Sequence, residues 1–302
     1  MHPGRSTAGS AVWGPLIALW LLWGSTYLGI ALVATSMPPL AANGLRLFIA
    51  GVVLAVIVAA TRGPRALRVT GAQFRGAATL GTALLGVGIG TLALAESYVP
   101  SGIAALLVAV MPLYIVIFRL RTGDRPARLT LVGVGVGMAG LALMLLPGGT
   151  EPVAGDDRTV VLWSAAILCS SFVWALFSWR SRNYTLPANS LVTTVYELAA
   201  GGLVLMAAGV VHGERWDVSH VSGASWGGWL WLVAASVAGY TAYTWLLANA
   251  PLSLTATYAY VNPVVAVLLG FLLLAEPLTR DVLLGLTIVV GGVFLVVTGE
   301  RR

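Results

Sequence analysis

The sequence has few charged residues, a single cysteine, and no histidine within its apolar segments. Only 9% of its 302 residues are charged, against about 25% in a soluble domain, and its mean hydropathy is +0.91. So few charges cannot cover the water-facing surface of a 31.4 kDa protein, which excludes a soluble fold. The lone Cys169 excludes an intrachain disulfide and a cysteine zinc cluster. The positions of His2, His212 and His220 exclude a histidine metal site within the membrane.

Sequence motifs of catalysis are also missing. The chain contains no HExxH, no GxSxG and no phosphate-binding Walker sequence. A GxGxxG match runs from Gly135 to Gly140, but it lies within an apolar segment and follows no strand, so we interpret Gly133 and Gly137 as a helix-packing GxxxG pair. We therefore expect no enzyme activity, no cofactor and no bound metal.

Long apolar segments dominate what is present. A membrane-spanning helix needs about 20 mostly apolar residues, and the segments show no alternation typical of outer-membrane strands. The connections are too short to hold a soluble domain. The sequence thus predicts an all-α integral membrane protein with ten transmembrane helices: Val12–Ala34, Leu40–Ala60, Phe74–Ala95, Val99–Phe118, Leu129–Leu146, Val160–Trp179, Ala188–Val211, Ala224–Leu247, Leu252–Leu274 and Val282–Thr298.

The charged residues that remain are distributed unequally between the two sides of the predicted membrane. All seventeen basic residues are Arg. Ten spans put thirteen of them on the side of both termini: Arg5, Arg62, Arg65, Arg68, Arg75, Arg119, Arg121, Arg125, Arg128, Arg180, Arg182, Arg301 and Arg302. The other side receives Arg158, Arg215 and Arg280 with most of the acids, Glu96 among them. The positive-inside rule then predicts a cell (inner) membrane protein with cytoplasmic termini, and the pI of about 9.9 reflects topology rather than nucleic-acid binding.

An offset of 151 positions brings several landmarks of the sequence into register. Pro100 falls on Pro251, Pro112 on Pro263 and Pro126 on Pro277. The same offset pairs Trp23 with Trp174, Gly140 with Gly291 and Arg46 with Glu197. Because each half then holds an odd number of helices, residues 1–150 and 151–302 are predicted to be two five-helix repeats of inverted topology.

Two ionisable residues lie inside apolar segments, Arg46 in the second and Glu197 in the seventh. A charge in hydrocarbon costs at least about 2.5 to 3.5 kcal/mol on insertion scales. We therefore interpret both as residues of a substrate or coupling path. Arg46 lies near a helix end, so snorkelling to the interface is an alternative for it. Sequence does not say whether the two side chains touch.

Further candidates for a central cavity are aromatic and polar residues in mid-helix. These are Trp23, Tyr27, Tyr258 and Asn262, with helix kinks at Pro112 and Pro263. Proline frees a backbone carbonyl within a helix, which is tolerated where neighbours or a cavity satisfy it. Packing kinks without ligand contact, and small-residue packing in the first helix, remain the alternatives.

These residues also carry a family resemblance. The stretch Trp23-Gly-Ser-Thr-Tyr27, the pair Pro38-Pro39 with Gly44-Leu-Arg46, and Tyr258-Ala-Tyr-Val-Asn-Pro263 resemble EamA-type proteins of the drug/metabolite transporter superfamily, and look most like its YedA-like branch. The resemblance implies an inner-membrane carrier with a cavity between two repeats, small organic substrates such as amino acids, and outward transport. It leaves Glu276 a candidate for a structural or gating role, whereas Arg125 stands at the corresponding place of the first half.

The sequence therefore predicts a secondary transporter working by alternating access, with a small-molecule substrate, protons as a candidate coupling ion and the lipid bilayer as its surroundings. Its oligomeric state is open. The alternatives are an intramembrane enzyme acting on a lipid or lipid-linked metabolite, which would need convergent acids or nucleophiles, and a non-transporting membrane scaffold, which would need a sizeable extramembrane domain.

Overall fold

Helices make up the regular structure of the chain. The computed structural model describes residues 10–99, 101–145, 154–274 and 279–300, and no strand occurs within these ranges. We number the helices in chain order: α1 Trp13–Ala34, α2 Pro39–Arg62, α3 Gly71–Ala95, α4 Ser101–Val108 with Met111–Arg121, α5 Arg128–Leu145, α6 Asp157–Arg180, α7 Ser190–Val211, α8 Gly223–Asn249, α9 Leu252–Thr255 with Tyr258–Leu274, and α10 Arg280–Glu300. Glu276, Pro100 and Pro277, which the sequence singled out, lie outside the described residues.

Most helices of the bundle have the length and composition of membrane spans. Nine helices of the described part, α2 to α10, are long and apolar enough to cross a membrane. The predicted first segment coincides with α1, a helix of 22 residues without a charged side chain. The observed helices begin and end within a few residues of the predicted segments.

Local chemistry fixes where several helices start. Thr70 and Gln73 form a reciprocal capping box at the start of α3. The Asp156 carboxylate accepts hydrogen bonds from the hydroxyl and backbone N–H of Thr159, which cap α6 and lower the pKa of Asp156. The Glu214 carboxylate, on the loop after α7, accepts bonds from the backbone N–H groups of Leu40 and Ala41 at 2.9 and 2.7 Å, and so caps α2.

Three helices depart from regular α geometry beside the centre of the bundle. α3 contains a π-helical stretch, Thr82–Ile89. α4 is interrupted before Met111-Pro112, so Pro112 lies in the first turn of a new helical segment and does not kink a continuous one. Pro263, by contrast, lies inside α9. Such irregular backbone is found in membranes where it lies within the protein or along a cavity.

Glycines set the closest helix contacts. On α5, Gly133 and Gly140 lie against the backbone of α10 around Gly292 and Gly285, so an added Cβ would come within 2.7 Å of backbone atoms. Gly44 of α2 lies equally close to the backbone of α7. The predicted GxxxG packing face of α5 is thus confirmed, and the GxGxxG match lies within this packed helix.

Candidate functional site

A cavity of about 140 Å³ lies in the middle of the bundle. Its walls come from α1, α2, α3 and α4 in the first half of the chain and from α6, α8 and α9 in the second. It begins beside Trp23, halfway along α1, and extends to Glu96, immediately beyond α3. We call this end of the bundle the Glu96 end, and the opposite one, where α4 and α10 finish, the Arg119 end.

Arg46 supplies a cationic group to the cavity wall. Its side chain is 5% exposed, and its Nε donates to the Asn43 Oδ1 at 2.7 Å while one Nη donates to the Ser236 Oγ at 3.3 Å. Asn43 is itself tied to the Pro39 carbonyl, one turn earlier in α2. These two bonds hold one edge of the guanidinium and leave further N–H donors for an anionic group in the cavity. The buried position does not fit snorkelling to the interface.

Glu96 brings the opposite charge to the same cavity. Sequence placed it on the outer side with the surface acids, yet it lines the cavity together with Arg46. Among the described residues the two form no ion pair within 4.0 Å. A cation and an anion therefore face one cavity without forming a direct ion pair, an arrangement that can accommodate a polar ligand between them.

The Asn262-Pro263 pair adds polar groups to the α9 wall. Asn262 lines the cavity, and its buried Oδ1 has no hydrogen-bond partner among the described residues. Pro263 has no N–H, so it cannot bond the carbonyl of Ala259 one turn earlier. An unpartnered buried carbonyl is costly unless a ligand or water satisfies it, so the Asn262 Oδ1 is a free acceptor on this wall.

A cluster of five aromatic rings lies on the side of the cavity away from Glu96, and all of them except Tyr243 line the cavity. We call Trp23, Trp174, Tyr240, Tyr243 and Tyr258 the aromatic floor. Trp23 lies at its centre, with ring centroids 4.8 to 6.0 Å from the other four. The Trp174 indole N–H donates to the Tyr243 hydroxyl at 2.8 Å, and this hydroxyl also bonds to Ser178. Rings packed in this way and joined by hydrogen bonds form a well-packed, largely aromatic surface.

Glu197 occupies a different place. It lies on α7 against α8 and α3, is 6% exposed, and does not line the cavity. Its Oε2 accepts a hydrogen bond from the Thr244 hydroxyl at 2.8 Å, while its Oε1 has no partner among the described residues. Among the residues that the structure describes, no ion pair joins Glu197 to Arg46. An ionised carboxylate so placed lacks a compensating charge in contact with it.

The structure thus brings together most of the residues that the sequence singled out. Trp23, Tyr27, Arg46, Tyr258 and Asn262 line one cavity, whereas Glu197 lies outside it. Pro112 and Pro263 each follow a lining residue directly, Met111 and Asn262.

Sequence reasoning missed part of the lining. Nothing in the sequence marked Glu96 or the serines Ser170, Ser171 and Ser236 as cavity residues. An acid at the end of a helix and a small polar residue within one are both common in membrane proteins. Trp174 did carry a signal. Trp174 is the repeat partner of Trp23, and the two rings lie edge to face with centroids 6.0 Å apart.

Comparisons with known proteins identify the family of the chain. Residues 12–146 and 161–298 each match the EamA-like transporter family. The chain is 37% identical over 291 residues to the uncharacterized inner membrane transporter YedA of Escherichia coli (strain K12), covering 96% of this chain and 91% of YedA. It is 24% identical over 213 residues to a probable terminal-alkyne amino-acid exporter of Streptantibioticus cattleyicolor, covering 68% of each chain.

A solved crystal structure shares the fold. It superposes with a TM-score of 0.77 and covers 97% of this chain and 98% of its own, at 22% sequence identity. At that identity the likeness concerns the fold alone.

The family matches extend over nearly the whole chain and include every cavity-lining helix. The names of the family and of YedA indicate a transporter, and the name of YedA together with the apolar helices indicates a multi-pass protein of the inner membrane. The chain belongs to the EamA-like transporter family.

Proposed function

We propose that this chain is a secondary transporter that moves small organic metabolites with a charged group, amino acids among them, outward across the inner membrane. The observation that carries the proposal is the cavity between the two halves, with a buried arginine on its wall and an aromatic floor. The outward direction and the amino-acid class also draw on the name of the Streptantibioticus relative, a probable amino-acid exporter.

Two inverted repeats are part of the proposal, and the helix packing supports them. If the two halves are equivalent, each helix of the first half corresponds to the helix five places later in the second. Replacing both helices of a contact by their counterparts then gives another contact that the structure also shows, and this holds for every major contact. The contact of α1 with α8 becomes that of α6 with α3, α1 with α9 becomes α6 with α4, and α3 with α7 becomes α8 with α2. The contacts of α2 with α7 and of α5 with α10 convert into themselves. Residues 1–150 and 151–302 are then two five-helix repeats around a shared cavity, which allows alternating access by rocking of the halves.

The charge distribution supports the orientation. With ten spans, the Arg119 end carries most of the arginines and is the cytoplasmic side, as the positive-inside rule requires. The cavity then extends toward the outer side, where Glu96 lies.

Arg46 binds the anionic group of the substrate in this proposal, and the aromatic floor receives its apolar part. Removing a charged hydrogen bond from a desolvated site weakens binding by about 10- to 100-fold. Arg46→Gln should therefore raise the substrate concentration for half-maximal transport by that factor. Arg62→Gln is the matched control, because Arg62 is exposed at the end of the same helix and should leave transport unchanged.

Glu197 carries the coupling proton in this proposal. A buried carboxylate with one free oxygen and no adjacent cation is most stable when protonated. Glu197→Gln should then bind substrate and exchange it between the two sides, but lose accumulation driven by a pH gradient. Asp281→Asn, at an exposed position, is the control. Unchanged pH-driven accumulation in Glu197→Gln would remove the coupling role.

The substrate is found by comparing metabolites of cells with and without the protein, followed by uptake of each hit into proteoliposomes. We expect a compound with at least one ionised group, transported by the wild type and poorly by Arg46→Gln. Absence of transport of every hit by purified wild-type protein would contradict the proposed function. Equal transport by the wild type and Arg46→Gln would contradict the role of Arg46 alone.

A further inference from the structure

A second cluster of charged side chains lies at the Arg119 end, far from the residues discussed above. Arg119, near the end of α4, donates from Nε to Asp124 at 2.9 Å and from one Nη to the Glu300 carboxylate at 2.7 Å and the Ser253 hydroxyl at 2.6 Å. Thr130, at the start of α5, also donates to Glu300 at 3.1 Å. The side chains of Arg119 and Glu300 are 12% and 6% exposed, respectively.

The cluster joins the two halves of the chain. Arg119, Asp124 and Thr130 belong to the first half, while Ser253 begins α9 and Glu300 ends α10. Charge-assisted bonds of this kind, held away from water, are stronger than surface ion pairs. The guanidinium of one arginine therefore links the cytoplasmic ends of α4, α9 and α10 by hydrogen bonds.

The cluster also lies in line with the cavity. Along α9, the order from the Arg119 end is Ser253 in the cluster, Tyr258 in the aromatic floor and Asn262 on the cavity wall. Along α4, the order is Arg119 and then Met111 on the cavity wall. Two layers, the charged cluster and the aromatic floor, thus separate the cavity from the cytoplasmic side, while the cavity reaches Glu96 on the other.

We propose that Arg119 is the gating residue of the cytoplasmic side: oriented by its bond to Asp124 within the first half, it bonds Glu300 and Ser253 of the second half, and these two bonds hold this side closed and must break for the cavity to open inward. The inference rests on the proposed function, because a gate has a purpose only in a transporter. It assigns a role to Arg119 and Glu300, which otherwise would be two of the many charges at a membrane surface.

The experiment measures from which side a cavity residue can be reached, and it needs no substrate. Cys169 is replaced by Ser, and Ser171 on the cavity wall is replaced by Cys, so that a single thiol reports on the cavity. A membrane-impermeant maleimide is then added to right-side-out and to inside-out vesicles. With Arg119 intact, we expect labelling from the outer side and protection from the cytoplasmic side.

Arg119→Gln should speed labelling from the cytoplasmic side by about tenfold or more, because bonds to charged groups of this strength shift a two-state equilibrium by that factor. Glu300→Gln should act in the same direction. Arg119→Lys should give an intermediate rate, since an ammonium group keeps one charged contact but cannot reproduce the arginine fork.

Arg182→Gln is the matched control. Arg182 lies at the same end and donates to the carbonyls of Leu247 and Ala250, so its bonds stay within the second half of the chain. Its loss should lower thermal stability without changing the side of labelling. A general loosening of the protein would raise labelling in Arg182→Gln as well, and would overturn the gate.

The gate would equally be overturned if Arg119→Gln and Glu300→Gln, eluting as the intact protein in gel filtration, were labelled from each side at the original rates. If labelling shifts as expected but the wild type transports none of the metabolites found in cells, the closure of this side by Arg119 is supported while the proposed function fails. The two proposals are thus tested separately.

Discussion

The adjacent glycines Gly291 and Gly292 of α10 allow a stringent test of how the helices pack. A Cβ added to Gly292 would lie 2.5 Å from the backbone N and 2.7 Å from the Cα of Gly137 on α5. A Cβ added to Gly291 would meet nothing within 4 Å. Gly292→Ala and Gly291→Ala therefore introduce the same methyl group one residue apart, once into a backbone contact and once into open space.

The two substitutions are expected to change stability in opposite directions. Overpacking a close contact costs about 1 to 3 kcal/mol, since backbone cannot move aside as a flexible side chain can. Alanine in place of glycine at an unhindered helix position gains up to about 1 kcal/mol through helix propensity. At about 2 to 4 °C per kcal/mol, Gly292→Ala should lower the melting temperature by about 2 to 12 °C, while Gly291→Ala should leave it unchanged or raise it by a few degrees.

Tryptophan fluorescence during heating in detergent measures both variants, with the same scan rate because unfolding of such proteins is commonly irreversible. The quantity to compare is the difference between the two melting temperatures. Equal shifts for Gly291→Ala and Gly292→Ala would refute the reasoning, because propensity alone would then explain both.

Three further predictions concern single polar groups. Glu214→Gln should lower stability by about 1 to 2 kcal/mol in thermal denaturation, because the carboxylate then no longer caps α2 with a charge; an unchanged melting temperature would speak against the cap. Trp229→Phe removes the 3.0 Å bond to the Ala42 carbonyl and should cost about 1 to 3 kcal/mol in the same assay, because that buried carbonyl is left without it. Asn262→Ala should change substrate affinity in proteoliposomes more than it changes stability, since its unpartnered Oδ1 has no internal bond to lose; a large loss of stability with unaltered affinity would exclude a ligand-binding role.

Much of the fold could be predicted from the sequence because membrane helices follow simple rules. Segment length and hydropathy located the helices to within a few residues, since the bilayer fixes the length of a span. Small-residue spacing also located the α5 packing face around Gly133 and Gly137. The pair Gly140 and Gly291, which the 151-residue offset brings into register, does not share a packing role. Gly140 packs against α10, whereas a Cβ added to Gly291 would meet open space.

The site was harder to predict, and Glu197 shows why. In a soluble helix the apolar stripe indicates which side faces inward, but a membrane helix is apolar on its lipid side and on its packed side. Depth along α7 was therefore readable from the sequence, whereas the direction of the Glu197 side chain was not. Its position against Thr244 and away from the cavity depends on how α7 meets α8.

The sequence by itself determined that this chain is a helical membrane protein, where its helices lie, and that Arg46 and Glu197 are charges inside apolar segments. Each of these conclusions follows from the free energy of transferring residues from water to lipid, which can be read position by position along the chain. Only the tertiary structure decided that Arg46 and Glu96 face one cavity and that Arg119 bonds Glu300 across the two halves. Those relations depend on helix rotation and packing, which set residues distant in the chain side by side.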